Sequence, residues 1–356
     1  MKKLISVLAA TIACLFLFAA CSAQVVLSLN PNWTDNGSVS APTDFHETLT
    51  YGVSFEKDDL GTLSLNVAEG SSYVMETTVE SSFIDHNGTN QGAVYKLTTT
   101  LTLCGSFVDN DGNVLHEFGT SGDDANDRPD EIKTTVWFHS LDGGRNLRPI
   151  RSETTGYYHA LDSTSGYTLS VTKFKATIEY NNSATSATVQ LENLWTEEEL
   201  SGDNAKINDY TVRSSLPRTQ SFSVGDLQKN YSGFDAGQLY FVGRGISFSE
   251  NGSNTVTLAS IYGKLQCALT CGEFADLSCN FTVKAGETVT TVTTVNTAPV
   301  TFTNSGNGQN RGPSRTVNYA RATDASSGYN NVPVRISETF AYDVGNLVFT
   351  LQSIAR

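Results

Sequence analysis

Four cysteines outside the N-terminal apolar run could form disulfides or hold a metal ion: Cys104, Cys267, Cys271 and Cys279. In the segment KLQCALTC, Cys267 and Cys271 lie on one strand, where four residues at ~3.3 Å each place them ~13 Å apart, too far for a disulfide. A loop separates Cys271 from Cys279, so we predict a Cys271–Cys279 disulfide across a hairpin, with Cys104–Cys267 as a second candidate pair. Structural zinc sites use closer paired spacings, so we expect no zinc.

The acidic segment SGDDANDRPDE carries oxygen ligands of the kind that calcium prefers. Its candidate ligands are Asp123, Asp124, Asp127 and Asp130. The segment lacks the ligand alternation of an EF-hand, and a solvated acidic loop is the alternative that we favour. We therefore predict no metal site. If the segment did bind calcium, these four residues would be the ligands.

Catalytic motifs are absent from the sequence. The histidines at positions 46, 86, 116, 139 and 159 form no HExxH or HxH pattern, and no GxSxG, P-loop or GxGxxG occurs. The segment SVTK, Ser170 to Lys173, matches SxxK, but it lies in an alternating strand and not at the start of a helix. We therefore expect a protein without enzymatic activity and without a cofactor.

Two similar octapeptides lie half a chain apart, LRPIRSET from Leu147 to Thr154 and VPVRISET from Val332 to Thr339. Each follows a strand that carries Thr-Val and an aromatic residue, and then a loop containing glycine. We predict two β-hairpins whose returning strands begin at Pro149 and Pro333, since a proline tolerates a strand start. The charged residues are expected to be exposed cross-strand partners or, alternatively, equivalent ligand contacts. The charged residues common to both copies are Arg151, Glu153, Arg335 and Glu338.

Alternation of apolar and polar residues dominates the elements that would position these groups. The segments LTYGVSFE, SYVMETTV and VYKLTTTLTL each place apolar residues on one face, which is typical of half-buried strands. In DAGQLYFVGRG, Asp235 and Gln238 have the spacing of a capping box, which predicts a short helix with Tyr240 and Phe241 in the apolar interior. TEEEL, Thr196 to Leu200, predicts a second short helix.

Composition and charge limit the classes of partner. Hydrophobic residues make up 39% of the chain, enough to bury a core, and the formal net charge is −14. Loss of Lys2 and Lys3 with a leader would lower that charge to −16. Such an acidic surface repels phosphate backbones, so we expect no nucleic-acid partner.

The N-terminus indicates export. Lys2 and Lys3 precede an apolar run from Leu4 to Ala20, as in a secretory signal. The run ends in FAAC, which resembles the lipobox of bacterial lipoproteins and implies lipidation of Cys21. We expect an extracytoplasmic protein held on a bacterial membrane by this lipid; the alternatives are ordinary cleavage after Ala23 or a short membrane anchor.

The expected organisation follows from these features. It comprises a signal peptide (1–20), a tether (21–44), an N-terminal β-rich half (45–195), a linker (196–209) and a C-terminal β-rich half (210–356). The fold class is mainly β, with curved antiparallel sheets or an open half-barrel built from hairpins and one or two short helices. The two halves could be similar, and whether their hairpins share one sheet is left open.

A loose resemblance covers the segments from Thr134 to Tyr158 and from Gly233 to the end. The aromatic strand, the PVR strand, the final LVFTL strand and FDAGQLYFVGRG are similar to exported β-rich proteins of unknown function. Those resemble in turn the outer-membrane lipoprotein carrier half-barrel, which implies a groove for a hydrophobic or lipid-like ligand or a partner's apolar segment. The alternative is an adhesin-like or envelope-structural module without a cavity.

Overall fold

The computed structural model describes the residues of the following ranges: 27–29, 45–59, 61, 63–120, 128–141, 146–162, 168–195, 219–224, 233–305, 314–322, 327–341 and 344–356. Outside them lie the leader with Cys21, most of the tether, the linker, the TEEEL segment, and the calcium candidates Asp123, Asp124 and Asp127.

Strands make up most of the described chain. They are β1 Ser28–Leu29, β2 Glu47–Lys57, β3 Leu63–Val67, β4 Ser72–Glu80, β5 Val94–Leu103, β6 Gly105–Asp109, β7 Val114–Phe118, β8 Asp130–Leu141, β9 Asn146–Asp162, β10 Thr168–Tyr180, β11 Ser186–Asn193, β12 Thr219–Ser223, β13 Gly233–Asp235, β14 Ile246–Ser247, β15 Ser253–Ser260, β16 Gly263–Cys271, β17 Ala275–Ala285, β18 Thr288–Ser305, β19 Arg315–Ala320, β20 Pro333–Ala341 and β21 Gly345–Ala355.

A single large sheet contains most of these strands. Its order is β12-β11-β10-β9-β8-β5-β4-β2-β21-β20-β19-β18-β16-β15-β13, and β17 pairs with both β18 and β21. The strands β17 to β21 therefore close into a five-stranded barrel. Because β2 pairs with β21, both echoed hairpins belong to one sheet. The expected mainly β fold with curved antiparallel sheets is confirmed.

A short helical segment, residues 236–245, packs against the inner face of this sheet. It consists of a 3₁₀ turn Ala236–Gln238, the helix α1 Leu239–Val242 and a second 3₁₀ turn Gly243–Gly245. The predicted capping box is present: the Asp235 carboxylate accepts from the Gly237 N–H at 2.8 Å, and the Gln238 side chain accepts from the Asp235 N–H at 3.0 Å.

The two echoed segments form equivalent hairpins, β8–β9 and β19–β20. In each, the register shifts by one residue just after the proline, so that Ile150 and Val334 occupy a β-bulge. β20 begins at Pro333, as predicted. β9 instead begins at Asn146, because residues 146–148 already pair with β8, and Pro149 lies at the bulge. A bulge accommodates a proline inside a strand because the ladder is interrupted there.

The predicted cysteine pairs do not form. Cys267, Cys271 and Cys279 carry free thiols, which rules out both candidate bridges. The expected hairpin is absent because β16 and β17 lie end to end along one edge of β18. Cys271 pairs with Val300, whereas the Cys279 thiol lies 3.7 Å from the Val292 carbonyl oxygen. Eight residues of strand separate these positions by roughly 26 Å, far beyond the reach of a disulfide.

A buried ion cluster joins the helical segment to the start and end of the sheet. The Glu47 carboxylate binds the Arg244 guanidinium, and both side chains are 1% exposed. Arg356 donates to the same carboxylate at 2.8 Å. Burial alone would raise the pKa of Glu47, but Arg244 and Arg356 hold that pKa below its ordinary value of 4.5. Glu47 is therefore ionised at neutral pH and binds two guanidinium groups.

Replacing this carboxylate should destabilise the fold in a pH-dependent way. Glu47→Gln leaves the buried Arg244 without its counter-ion, and we expect a loss of about 3 to 5 kcal/mol in the free energy of unfolding at pH 7. Because the pKa of Glu47 is lowered by folding, its stabilisation is complete above pH 4.5 and is lost as the pH falls through the lowered pKa.

Urea unfolding from pH 7 to pH 3 measures this, with Glu76→Gln as control because Glu76 forms an exposed pair with His46. The control should change stability by less than about 0.5 kcal/mol. A gap between wild type and Glu47→Gln that stays constant down to pH 3 would contradict the role assigned to the cluster.

The thiols should differ in reactivity in the folded protein. Burial raises the pKa of Cys267 to about 11 and also raises the pKa of Cys271 and of Cys279. Cys279 is the least buried of the three, so iodoacetamide at pH 8 should label Cys279 first and Cys267 last. Peptide mapping by mass spectrometry measures the order, with labelling in urea as control. A Cys271–Cys279 cross-linked peptide would show that this part of the topology is wrong.

Candidate functional site

A cavity of about 430 Å³ lies between the echoed hairpins and the start of the helical segment. Strands β4, β5, β8, β9, β19, β20 and β21 contribute to its walls. The lining residues are Tyr73, Thr99, Leu101, Leu103, Asp130, Ile132, Thr134, Tyr158, His159, Ala236, Gly237, Leu239, Tyr240, Arg315, Glu338, Thr339, Phe340, Leu347 and Phe349.

Apolar side chains form most of the cavity wall. Leu101 and Ile132 are cross-strand partners on β5 and β8, and both are half-buried because they face this space. Next to Leu101, on β4, the ring of Tyr73 packs against that of Phe349 with centroids 4.7 Å apart. The alternation seen in the sequence explains the wall, since every second residue of a strand points to the same face.

A polar cluster interrupts this wall where β19 and β20 meet α1. The Arg315 Nε donates to Glu338 Oε1 at 2.8 Å, and Arg315 Nη2 lies 2.7 Å from the same oxygen. The Tyr240 hydroxyl donates to Glu338 Oε2 at 2.5 Å. Burial, reinforced by the Glu338 charge, raises the pKa of Tyr240 well above its ordinary value. Tyr240 is therefore a neutral donor, and the cluster is an ion pair held by a third group.

The register of the two hairpins explains how Glu338 reaches the cavity. Counted from the bulge, Arg315 and Glu338 occupy the positions that Thr134 and Thr154 occupy in the first hairpin. Those threonine hydroxyls are 3.0 Å apart. Glu153, which matches Glu338 in the repeated Ser-Glu-Thr, lies one residue earlier in the register and on the opposite face. The second hairpin thus places an ion pair where the first has a hydroxyl pair.

The other three charged residues of the echo lie on the outer face. Arg151 pairs with Glu153 and lies 3.2 Å from Glu179, while Arg335 pairs with Glu56 at 2.8 Å. Glu56 is 57% exposed. Arg151 and Glu179 face each other on β9 and β10, whereas Arg151 and Glu153 lie two residues apart on β9. Among the four charged residues common to both copies, only Glu338 lines the cavity.

The predicted helix residues take two different environments. Phe241 is fully buried and packs edge-on against Phe138 at 5.5 Å between ring centroids. Tyr240 is half-buried, with its ring 6.4 Å from that of Tyr73 and its hydroxyl in the polar cluster. One residue therefore belongs to the core and the other to the cavity wall.

A second polar pair, missed by the sequence analysis, lies on the wall formed by β8 and β9. His159 Nδ1 lies 2.5 Å from Asp130 Oδ1, which also accepts the His159 backbone N–H at 3.0 Å. Both side chains are buried, and burial raises the pKa of Asp130 in spite of His159. Asp130 was a calcium candidate, but its carboxylate is directed to His159. A separation of 29 residues gives no recognisable motif.

Two kinds of feature are absent from the ranges that the structure describes. Among the residues that the structure describes, no group of three or more His, Cys, Asp or Glu side chains could hold a metal ion. No helix in those ranges has the length and apolar composition that crossing a membrane requires.

Comparison with known proteins yields a distant structural likeness. No protein-family model matches the chain, and no curated protein sequence matches it. A solved structure from Brucella abortus, described as a beta-barrel-like protein of a domain of unknown function, DUF1849, is similar over 88% of this chain and 98% of its own. The sequences are 8% identical, and the TM-score is 0.43.

Proposed function

We propose that the protein is a non-enzymatic binding module that holds a hydrophobic, lipid-like molecule in this cavity. The observation that supports the proposal is the cavity itself, about 430 Å³ in volume and walled mostly by apolar side chains with a few polar groups. Ligand sites in proteins have this composition and occupy roughly 300 to 1,000 Å³. The charged side chains on the wall are paired with each other, as in a site that orients a ligand.

The proposal includes a location. The lipobox-like FAAC segment supports lipidation of Cys21 and attachment of the protein to the extracytoplasmic face of a bacterial membrane. Lipoprotein acyl groups add enough buried methylene to hold a protein stably at a membrane when more than one chain is attached. The cavity would then lie close to a supply of lipid-like molecules.

Filling the cavity should abolish binding of an apolar probe. Leu101→Trp and Ile132→Trp each extend an indole into the space, and we expect the affinity for the neutral fluorophore N-phenylnaphthylamine to fall at least about tenfold, roughly 1.4 kcal/mol. Val289→Trp is the matched control because Val289 is 59% exposed and lies away from the cavity. Fluorescence titration of the soluble form beginning after Cys21 measures the affinities.

Native mass spectrometry of the same form, purified from its own host, gives a second readout. We expect a co-purified lipid or acyl species that solvent extraction releases. Unchanged probe binding in both filled variants, together with a ligand-free mass after incubation with host lipids, would contradict the proposal and favour an adhesin-like module without a used cavity.

Lipidation has its own test. In cells fed radiolabelled palmitate, the full-length chain should take up label and fractionate with membranes, whereas Cys21→Ser should do neither. Cys14→Ser is the matched control because Cys14 lies inside the apolar run of the leader. Label on Cys21→Ser would show that the anchor is elsewhere.

A further inference from the structure

We propose that the ligand of this cavity is an uncharged amphipathic molecule whose ester or amide carbonyl oxygen is bound by Arg315. This inference rests on the proposed function, because it names the chemical class that the same cavity would select. It derives from the unequal use of donors and acceptors in the cluster of Arg315, Glu338 and Tyr240.

Most acceptor positions of the Glu338 carboxylate are already used. Glu338 Oε1 receives the Arg315 contacts at 2.8 and 2.7 Å, and Glu338 Oε2 receives the Tyr240 hydroxyl at 2.5 Å. A carboxylate has about four lone-pair positions, so a ligand donor finds roughly one unused position on Glu338. Most of the unused hydrogen-bonding groups of the cluster are therefore N–H donors.

The donors of the cluster are not exhausted. A guanidinium carries five N–H groups, and the contacts of Arg315 within the described part of the chain use Nε and Nη2 only. The Arg315 side chain is 24% exposed and lines the cavity. An acceptor on the ligand can bind the remaining N–H groups without disturbing the pair with Glu338.

Charge selects among acceptors. The pair of Arg315 and Glu338 is neutral as a unit, so a carboxylate or phosphate on the ligand would bring an uncompensated anion beside the partly buried Glu338. The Asp130 carboxylate lines the same cavity from the wall formed by β8 and β9, and the chain has a formal net charge of −14. Like charges in such surroundings repel strongly, whereas a carbonyl oxygen needs only a hydrogen-bond donor. The geometry therefore favours an ester or amide over a free acid.

Three probes with the same ten-carbon chain test whether the cavity prefers an ester to a free acid or a hydrocarbon. Decane, decanoate and monodecanoylglycerol compete with N-phenylnaphthylamine for the soluble form at pH 7. We expect monodecanoylglycerol to bind about tenfold or more tighter than either of the others, as one hydrogen bond to a charged donor implies. Tightest binding by decanoate would overturn the inference, because it would identify an anion site.

Variants of the cluster show which group makes the selection. Arg315→Met combined with Glu338→Met removes the pair without leaving a lone buried charge, so the fold should be retained. The preference for monodecanoylglycerol over decane should disappear. The matched control, Arg335→Met with Glu56→Met, removes an ion pair from the outer face and should keep the preference.

Arg315→Lys provides a variant that keeps the charge beside Glu338 and therefore the fold. Lysine lacks the fork of the guanidinium, so the preference should weaken without vanishing.

An unchanged preference for monodecanoylglycerol in the Arg315→Met, Glu338→Met variant would overturn the inference while leaving the proposed function intact. If the wild-type protein binds neither the fluorophore nor any probe, the proposed function itself fails.

Discussion

The ion pair between Glu47 and Arg244 is the interaction on which the rest of the structure depends. Both side chains are almost fully buried, so their desolvation is compensated only in this one geometry, and the partly exposed Arg356 guanidinium binds the same carboxylate. Glu47 starts β2, Arg356 follows β21, and Arg244 lies in the second 3₁₀ turn. The pair therefore holds the helical segment against the sheet where the start of β2 meets the end of β21.

Two glycines let the helical segment rest directly on the two echoed hairpins. A Cβ at Gly237 would come within 2.8 Å of Thr134 and Val136 of the first hairpin, and a Cβ at Gly243 would lie 1.8 Å from the ring of Tyr319 in the second. The Tyr319 hydroxyl also donates to the Tyr240 carbonyl at 3.0 Å. The segment thus packs closely at both ends, and the cavity is the space left beside its first turn.

Local patterns in the sequence predicted the elements well, because strand alternation, the capping box and the repeated proline strand depend on neighbours in the chain. Long-range register was not predictable in the same way. The bulges at Ile150 and Val334 each follow a proline, but only the observed pairing shows that they are equivalent. The extra residue Ile336 of the second copy then turns Glu338 inward, whereas Glu153 faces outward. The disulfide prediction was wrong for a similar reason: nothing local shows that β18 is long enough to pair with β16 and β17 in succession.

The polar groups of the cavity were the least predictable part. Asp130 and His159 come from paired strands 29 residues apart, and Tyr240 and Glu338 are 98 residues apart, so no motif records them. Their arrangement nevertheless follows from the repeated hairpin. Both copies present the same backbone position to the cavity, but one carries two hydroxyl groups and the other an ion pair.

This difference has a physical consequence for binding. A hydroxyl pair can satisfy itself and leaves a nearly apolar surface, whereas the guanidinium of Arg315 retains donors that an apolar molecule cannot use. A ligand that lies between the hairpins therefore meets an asymmetric site, and its orientation is determined by the one wall that offers unmatched hydrogen bonds. Since burying an unmatched donor is costly, the same wall that orients a suitable ligand discriminates against a plain hydrocarbon.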